Sequence, residues 1–432
     1  MIPTTDVVSN GTPAGWRTVP FWSLFRREKK TGFPDEELLS VYRDYGVIPK
    51  SSRDDNHNKE SEDLSGYQLV TEGALVTNKM KAWQGSIAVS RYHGIVSPAY
   101  YVYTPQSDEC DQFLHYLLRS DPYIGLYGRI SKGVRVNQWD LEHEALRNIP
   151  VLLPDLATQR QIADFLDRET ARIDLLIEKK QRLVALLGER QKVLVEELLG
   201  GVDASHVHRL KFAIRRIEQG WSPQCEDVKV EGERWGVLKL GAITTGVYLE
   251  EQHKALPEVI EPIPSLRVRV GDVLVARASG SPKLVGKAAF VETSNLNLML
   301  SDKHFRLVPN LRKVLPEYLA VVINSGKSRN QIEDRLSSAE GMARNIGQSV
   351  IYGLRCPFPP IAAQQKILNA VRSSRAITDA LVFNSVASID RLKEYRSALI
   401  TAAVTGQIDV TTYAKSGTPD RRLDAIQEEM SA

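Results

Sequence analysis

Several short stretches of this 432-residue sequence carry residue types that could do chemistry, and each fails on spacing or partners. Gly280-Ser281-Pro282-Lys283-Leu284-Val285-Gly286-Lys287-Ala288 has the outline of a phosphate-cradling loop. Such a loop needs four residues between its glycines, so that backbone amides converge on phosphate, and a hydroxyl after the lysine to hold magnesium. Here five residues intervene and Ala288 replaces the hydroxyl, so a basic turn between strands is expected. Asp121-Pro122-Tyr123 lacks the second proline of the Asp-Pro-Pro-Tyr run that amino-methyltransferases use, and no glycine-rich cofactor loop accompanies it. A helix-ending turn is the plainer reading. Asp227-Val228-Lys229 has the spacing of a nuclease carboxylate–lysine pair, but no Pro-Asp partner precedes it. His93, His115 and His304 have no Cys or carboxylate at ligand spacing, which predicts surface or hydrogen-bonded roles and no metal site. Cys110, Cys225 and Cys356 are odd in number and far apart, as free thiols in a reducing cytoplasm would be.

A second set of residues is suited to binding and not to catalysis. Lys79, Lys81, Trp83, Gln84, Arg91, Tyr92, His93, Arg129, Lys132 and Arg135 fall on polar and basic loops of the first third. They mix cations that neutralise phosphate with groups that hydrogen-bond base edges. Arg277, Ser279, Ser281, Lys283, Lys287, Lys303, Arg344, Asn345 and Gln348 repeat that mixture further on. A solvated surface charge is the competing reading for any one of them, and a core anchor is the competing reading for Trp83. The net charge of +3 is too small to decide the matter, though local patches can bind a polyanion when acidic surfaces elsewhere cancel the sum. The 42% hydrophobic and 25% charged content is ordinary for a chain that buries real cores. The first residues, Met1-Ile2-Pro3-Thr4-Thr5-Asp6, show no basic-then-apolar secretory pattern, and no apolar run is long enough for a membrane span.

The elements that must position these residues come in two copies. Ile149-Pro150-Val151-Leu152-Leu153-Pro154-Asp155-Leu156-Ala157-Thr158-Gln159-Arg160-Gln161-Ile162 reads like Leu354-Arg355-Cys356-Pro357-Phe358-Pro359-Pro360-Ile361-Ala362-Ala363-Gln364-Gln365-Lys366-Ile367. Pro154 and Pro359, Gln159 and Gln364, and Ile162 and Ile367 all stand 205 residues apart, and the register holds to Leu194 with Leu399 and Gly201 with Gly406. Each copy enters a long helical pattern. The first repeats through Ile162, Leu166, Ile173, Leu176, Leu183, Leu187, Leu194 and Leu198, and the second through Ile367, Val371, Ile377, Leu381, Val386, Ile389, Leu392 and Leu399. Each helix spans roughly 60 Å at about 1.5 Å per residue. A helix of that length with one apolar stripe needs a partner for it, and its duplicate is the natural one. An antiparallel two-helix coiled coil is therefore expected, with packing of each helix inside its own domain as the alternative.

The segments ahead of the helices also match in order: an apolar-basic opening, a strand after a turn (Glu72–Val76 and Gly271–Val275), basic loops, a second apolar segment, then helices near Asp111–Arg119 and Pro316–Asn324. One scaffold with two different sets of loops suggests two reading surfaces.

In this layout the chain resembles the specificity subunit of a type I restriction–modification system. Pro154-Asp155-Leu156-Ala157-Thr158-Gln159-Arg160-Gln161-Ile162 is similar to that family's Pro-Leu-x-x-Gln-x-x-Ile turn. Tyr395-Arg396-Ser397-Ala398-Leu399-Ile400-Thr401-Ala402-Ala403-Val404-Thr405-Gly406 resembles its closing helix, and Gly94-Ile95-Val96-Ser97-Pro98-Ala99-Tyr100 resembles a segment of its recognition domains. Ala157 and Ala363 stand where the family often has Glu. The likeness reaches nearly the whole chain, excepting the tail after about Thr411.

The resemblance implies an α+β chain with an internal pseudo-two-fold repeat, in which two mixed α/β target-recognition domains are separated by two long helices. The corresponding bounds are 1–148 and 202–353 for the domains, 149–201 and 354–410 for the spacer helices, and 411–432 for a polar tail. It further implies a non-catalytic, cytoplasmic, DNA-binding subunit in which each domain reads half of a split, asymmetric site in double-stranded DNA. Two methyltransferase subunits carrying S-adenosylmethionine would dock on the helices, and two restriction subunits using ATP and magnesium would join them. No cofactor is expected in this chain. The competing functions are a protein-only helical scaffold and a recognition module of a fused methyltransferase or nuclease. The differing basic loops oppose the first, and the lack of a complete catalytic motif opposes the second.

Overall fold

The computed structural model describes residues 13–53, 60–135, 138–243, 245–279, 281–337 and 345–410. The chain divides into two compact units, one formed by Met1–Gln181 with Val386–Ala432 and the other by Arg182–Ser385. Each combines a strand-rich domain with a stretch of both long helices.

In the first unit β1 (Arg17–Pro20), β2 (Phe25–Arg27), β3 (Leu39–Tyr42), β4 (Gly46–Pro49), β5 (Gln68–Val70) and β6 (Leu75–Asn78) lead to β7 (Ile87–Val89), β8 (Gly94–Val96) and β9 (Tyr100–Pro105). Then come helices α1 (Asp111–Leu118) and α2 (Asp121–Ile130), the hairpin β10 (Lys132–Arg135) and β11 (Gln138–Asp140), α3 (His143–Arg147), β12 (Pro150–Leu153) and the 45-residue helix α4 (Leu156–Gly200). The central sheet has the order β2-β9-β6-β7, antiparallel throughout, and β1 pairs with β12.

The second unit contains β13 (Val207–Arg209), β14 (Ile214–Gln219), β15 (Trp235–Leu238), β16 (His253–Ala255), β17 (Val273–Ala276), β18 (Ala288–Phe290), β19 (Asn297–Met299) and β20 (His304–Pro309). These are followed by α5 (Pro316–Asn324), α6 (Gly326–Ser337), α7 (Gln348–Gly353), β21 (Arg355–Pro357) and the 44-residue α8 (Ile361–Val404). Its sheet runs β14-β20-β17-β18, again antiparallel, and β13 pairs with β21. The order matches the first sheet strand for strand. The turns match too. Gly73 and Gly271 take φ of +78° and +91° two residues before β6 and β17, and Gly85 and Gly286 take +89° and +76° two residues before β7 and β18. A residue with a Cβ is strained in that left-handed region, so glycine is retained at both turns of both copies. Gly286, part of the loop that mimics a phosphate cradle, is thereby explained as turn geometry.

Asp155 starts α4: its carboxylate accepts the Ala157 and Thr158 amides at 3.0 and 3.1 Å, groups with no acceptor within the helix. In the first unit the N-terminal half of α4 shares a core with the C-terminal half of α8, through Ile162, Leu166, Ile173 and Leu176 and through Leu392, Leu399, Ala403 and Val404. Arg396 also reaches Asp174 at 2.9 Å. In the second unit the last turns of α4 meet the first half of α8, where Ser374 donates to Gln191 at 2.8 Å and Leu199 and Leu368 join one core. An N-terminal half against a C-terminal half in one unit, and the converse in the other, is antiparallel pairing. The long-helix coiled coil expected from the sequence is present, in an α+β chain. No helix among the described residues is long and apolar enough to cross a membrane.

The repeated glutamines join domain to helix. Gln159 is fully buried; its Nε2 donates to the Pro154 carbonyl at 3.0 Å and its Oε1 accepts the amide of Cys110, the residue just before α1, at 3.0 Å. Gln364 is equally buried and does the same for α5, donating to Pro359 and Lys313 at 2.8 Å each and accepting the Leu315 amide at 2.9 Å. Truncating it strands three backbone groups, the Pro359 carbonyl buried and the Lys313 carbonyl and Leu315 amide half-buried, and a stranded buried group costs about 1–3 kcal/mol. Gln364→Ala should therefore destabilise its unit by roughly 3 kcal/mol, while the exposed neighbour Gln365→Ala should change stability by less than about 0.5 kcal/mol. Thermal and urea unfolding of the two variants check this.

Candidate nucleic-acid interface

The candidate residues of the first domain fall into two groups at opposite ends of β7. At one end, the β6–β7 loop carries Lys79, Lys81, Trp83 and Gln84. The Lys79 ammonium lies 4.6 Å from the centre of the Tyr101 ring and donates to the Pro98 carbonyl at 2.8 Å, and the Arg27 guanidinium covers the same ring at 4.3 Å. Burial, then the charge of Arg27, holds the Lys79 pKa below its ordinary value. The Leu141 amide donates to the Lys79 carbonyl at 3.0 Å, so the hairpin β10–β11 sits beside this loop. Lys132 joins the group on that hairpin, paired with Glu142 at 2.9 Å, and Arg129 lies on exposed α2 surface. The side chain of Arg135 lies outside the described residues.

At the other end of β7 stand Arg91, Tyr92 and His93. Arg91 donates to Gln112 at 3.0 Å and pairs with Asp167 of α4 at 3.3 Å. Gln112 and Tyr116 also donate to that carboxylate, at 2.8 and 2.6 Å. His93 faces Glu36 at 3.5 Å, and Tyr92 is exposed. Arg91 thus belongs to the seat of the domain on its helix, away from the Lys79 group.

In the second unit Arg277 occupies the place of Lys79. Lys79 donates its amide to Ala99 just ahead of β9; Arg277 donates its amide to Lys303 just ahead of β20, at 2.8 Å. Its guanidinium lies 5.7 Å from the Phe305 ring centre and donates to the Asp302 carbonyl at 3.2 Å. Tyr101 and Phe305 are the second residues of the matched strands. Lys303 pairs with Asp302 at 3.0 Å, Asn345 bridges Ala278, and the Ser281 amide donates to the Ser279 hydroxyl at 3.3 Å. Arg277, Ser279, Lys303 and Asn345 are thus brought together at the end of β17. Lys283 and Lys287 flank a loop gripped by buried Arg329, which donates to the carbonyls of Val285 at 2.6 Å and Lys283 at 3.1 Å. Burial, then the Arg329 charge, lowers the Lys287 pKa. Gln348 opens α7, and Arg344 lies outside the described residues.

The decoy motifs resolve as structure. Asp121-Pro122-Tyr123 follows the end of α1 but opens α2, with proline in its first turn, so the expectation of an ending turn alone was incomplete. Asp227 is tied to Lys239 at 2.7 Å. His115 bonds the Val89 carbonyl at 3.1 Å, and burial depresses its pKa to about 3. Sequence reasoning missed Arg27, Tyr101, Trp139 and Phe305. Tyr101 and Phe305 are accessible to it only once the two strands are aligned as repeats.

Two matched domains, each seated on a long helix and each with cations at one end of an antiparallel sheet, define a duplicated α+β architecture. Residues 13–185 match the family described as Type I restriction modification DNA specificity domain. Over 174 residues the chain is 31% identical to the Type I restriction enzyme EcoEI specificity subunit of Escherichia coli, a match covering 40% of this chain and 29% of that relative's length. It is 22% identical to the StySPI specificity subunit of Salmonella potsdam over 94% of this chain and 92% of the relative. The fold is shared, at a TM-score of 0.60 and 16% identity over 92% of this chain and 99% of the other, with a chain solved in work on complex assembly and conformational transition of the type I R-M system. The resemblance drawn from the sequence is borne out over residues 13–185, which match that DNA specificity domain.

One group beside the second cluster makes a pH prediction. His304 is fully buried against the Ser301 hydroxyl at 2.8 Å, and burial lowers its pKa from 6.5 to about 4. The unfolded chain therefore binds this proton more readily, so the stability involved is intact above about pH 6.5 and is lost as pH falls toward 4. The second unit should melt progressively lower across that window, and His304→Gln should flatten the dependence. Melting curves between pH 7 and 4 measure both.

Proposed function

We propose that this chain is the DNA sequence-recognition subunit of a type I restriction–modification complex. Each recognition domain reads one half of a bipartite, asymmetric site, and the paired helices set the gap between halves and dock two methyltransferase subunits. Restriction subunits complete the assembly. S-adenosylmethionine belongs to the methyltransferase subunits, and ATP and magnesium belong to the restriction subunits. The observation that carries the reading is the duplicated cation-over-aromatic pair, Lys79 on Tyr101 and Arg277 on Phe305, at the same end of two sheets of identical strand order.

Physics favours that assignment. The major groove presents a distinct donor and acceptor pattern for each base pair and admits loops and strand ends. Cations nearby neutralise phosphate and release counterions, which makes binding steeply salt-dependent. The surrounding loops differ between copies, so the two half-sequences differ.

With its methyltransferase partner, the chain should protect one bipartite sequence. Lys79→Ala should weaken the contribution of one half-site and Arg277→Ala that of the other, each by roughly tenfold. Footprinting on DNA with either half scrambled measures this, and equal binding to unrelated DNA at physiological salt would sink the reading. A second experiment lengthens the helices. Inserting two turns after Lys180, with a matching insertion after Ser385, should widen the gap while leaving both half-sequences as they were. Methylation mapping reads both, and an altered half-sequence would count against a spacer.

A further inference from the structure

Trp83 and Trp139 come from separate elements and meet face to face. Trp83 lies on the short helix Ala82–Gln84 and Trp139 on β11, with ring centroids 4.7 Å apart and planes at 26°. The Trp83 indole N–H donates to the Met80 carbonyl at 3.1 Å, which fixes that ring. Trp139 is the outer member, 38% exposed. Its cross-strand neighbour in the hairpin is Gly133, which has no side chain to lay over it. Lone exposed rings are common on proteins. This one is backed by a second, anchored indole, and its hairpin carries Lys132, paired with Glu142, and is joined to the Lys79 loop through the Leu141 amide on the Lys79 carbonyl.

The setting selects a ligand. Cations call for an anionic partner, and a flat, rigid, open ring calls for a flat one. A nucleobase on a phosphate backbone meets both conditions, since every base has a face that stacks on an aromatic side chain. In a duplex that face is available only where a base step opens, and apolar side chains wedged into such steps hold them open. We propose that Trp139, backed by Trp83, is a stacking platform for a base at an opened step in the half-site read by the first domain; the inference rests on the DNA-recognition reading above. The second domain is built otherwise. Its matching short helix, Pro282–Leu284, carries Lys283 where Ala82–Gln84 carries Trp83. The platform therefore distorts one half-site and not the other.

The test uses the full chain with its methyltransferase partner on the site found by methylation mapping. Permanganate, which attacks unstacked thymines, and 2-aminopurine placed base by base report opening. Wild-type complex should open a step in the half-site assigned to Lys79, with no Trp139-dependent opening in the other half. Trp139→Leu keeps bulk and apolarity without the stacking face. It should abolish that opening and weaken binding roughly tenfold, with the fold retained and the melting temperature lowered by only the few degrees that loss of the Trp83 stack costs, and Trp139→Phe should restore most of both. Binding and opening by Trp139→Leu equal to wild type, with the fold retained, would overturn the platform while leaving DNA recognition standing. A wild-type complex that protects no sequence at all removes the DNA reading, and the platform with it.

Discussion

Both strand-rich domains hang on a single kind of contact, a buried glutamine amide in the first turn of a long helix. A carboxamide suits the position because it donates and accepts from one planar group. Gln159 and Gln364 share two backbone bonds, to a carbonyl of the proline ahead of their own helix and from the amide that precedes the first helix of the domain, and Gln159 also donates to the Glu109 carboxylate. Domain helix and long helix are thereby fixed at one point in angle and register. Neighbouring turns follow from it. Ser120 and Ser325, each bonded at 2.7 Å to the carbonyl three residues earlier, close α1 and α5 in the same way and stand 205 residues apart, like the glutamines. A carboxylate in the glutamine's place would lose the donor and, at position 159, would face Glu109 as a like charge, and an apolar side chain would strand the backbone groups.

Beside that shared contact the two seats diverge. Gln112 bonds the Asp167 carboxylate in the first unit, and at the positions 205 residues on, Glu317 forms an ion pair with Arg372. The exchange is not neutral. A carboxylate at position 112 would face Asp167 as a like charge, whereas glutamine at position 317 would give up the pair with Arg372. Two homologous domains in one chain risk docking on the wrong helix, and seats with complementary but different chemistry work against that error. The common glutamine supplies geometry, and the divergent pair supplies identity.

How much of this could be read from sequence follows from how local each feature is. The constant spacing from Pro154–Pro359 to Gly201–Gly406, and the apolar stripes through Leu166 and Leu392, gave the long helices and their pairing, because helical periodicity is written in consecutive residues. The helices at Asp111–Leu118 and Pro316–Asn324 were equally legible. The site was less so. Loop position and charge pointed to both Lys79 and Arg91, and the Asp167 partner of Arg91, 76 residues away, is revealed only by tertiary structure. Trp139 went unnoticed because its meaning depends on Trp83, which the β10–β11 hairpin brings against it. Tyr101 was hidden for a related reason, lying in a run of tyrosines that reads simply as a strand.

The same distinction explains why so mild a net charge accompanies this interface. Many of the cations are tied to protein acids: Arg91 to Asp167, Arg372 to Glu317, Arg396 to Asp174, and Arg306 to Glu218 and Asp272. Each such pair is nearly neutral beyond a Debye length of roughly 8–10 Å, so it adds little to the field that a distant polyanion meets. Lys79 and Arg277 differ. Their nearest aromatic partners, Tyr101 and Phe305, orient the cation through the ring face without cancelling its charge. A ring holds a cation in place and leaves its field intact, and that property is what an ion pair lacks. A chain of net charge +3 can therefore hold cations on ring faces at matched strand ends, Lys79 with Asp140 nearby and Arg277 with Asp302 nearby, while many of its other basic residues are tied up in ion pairs.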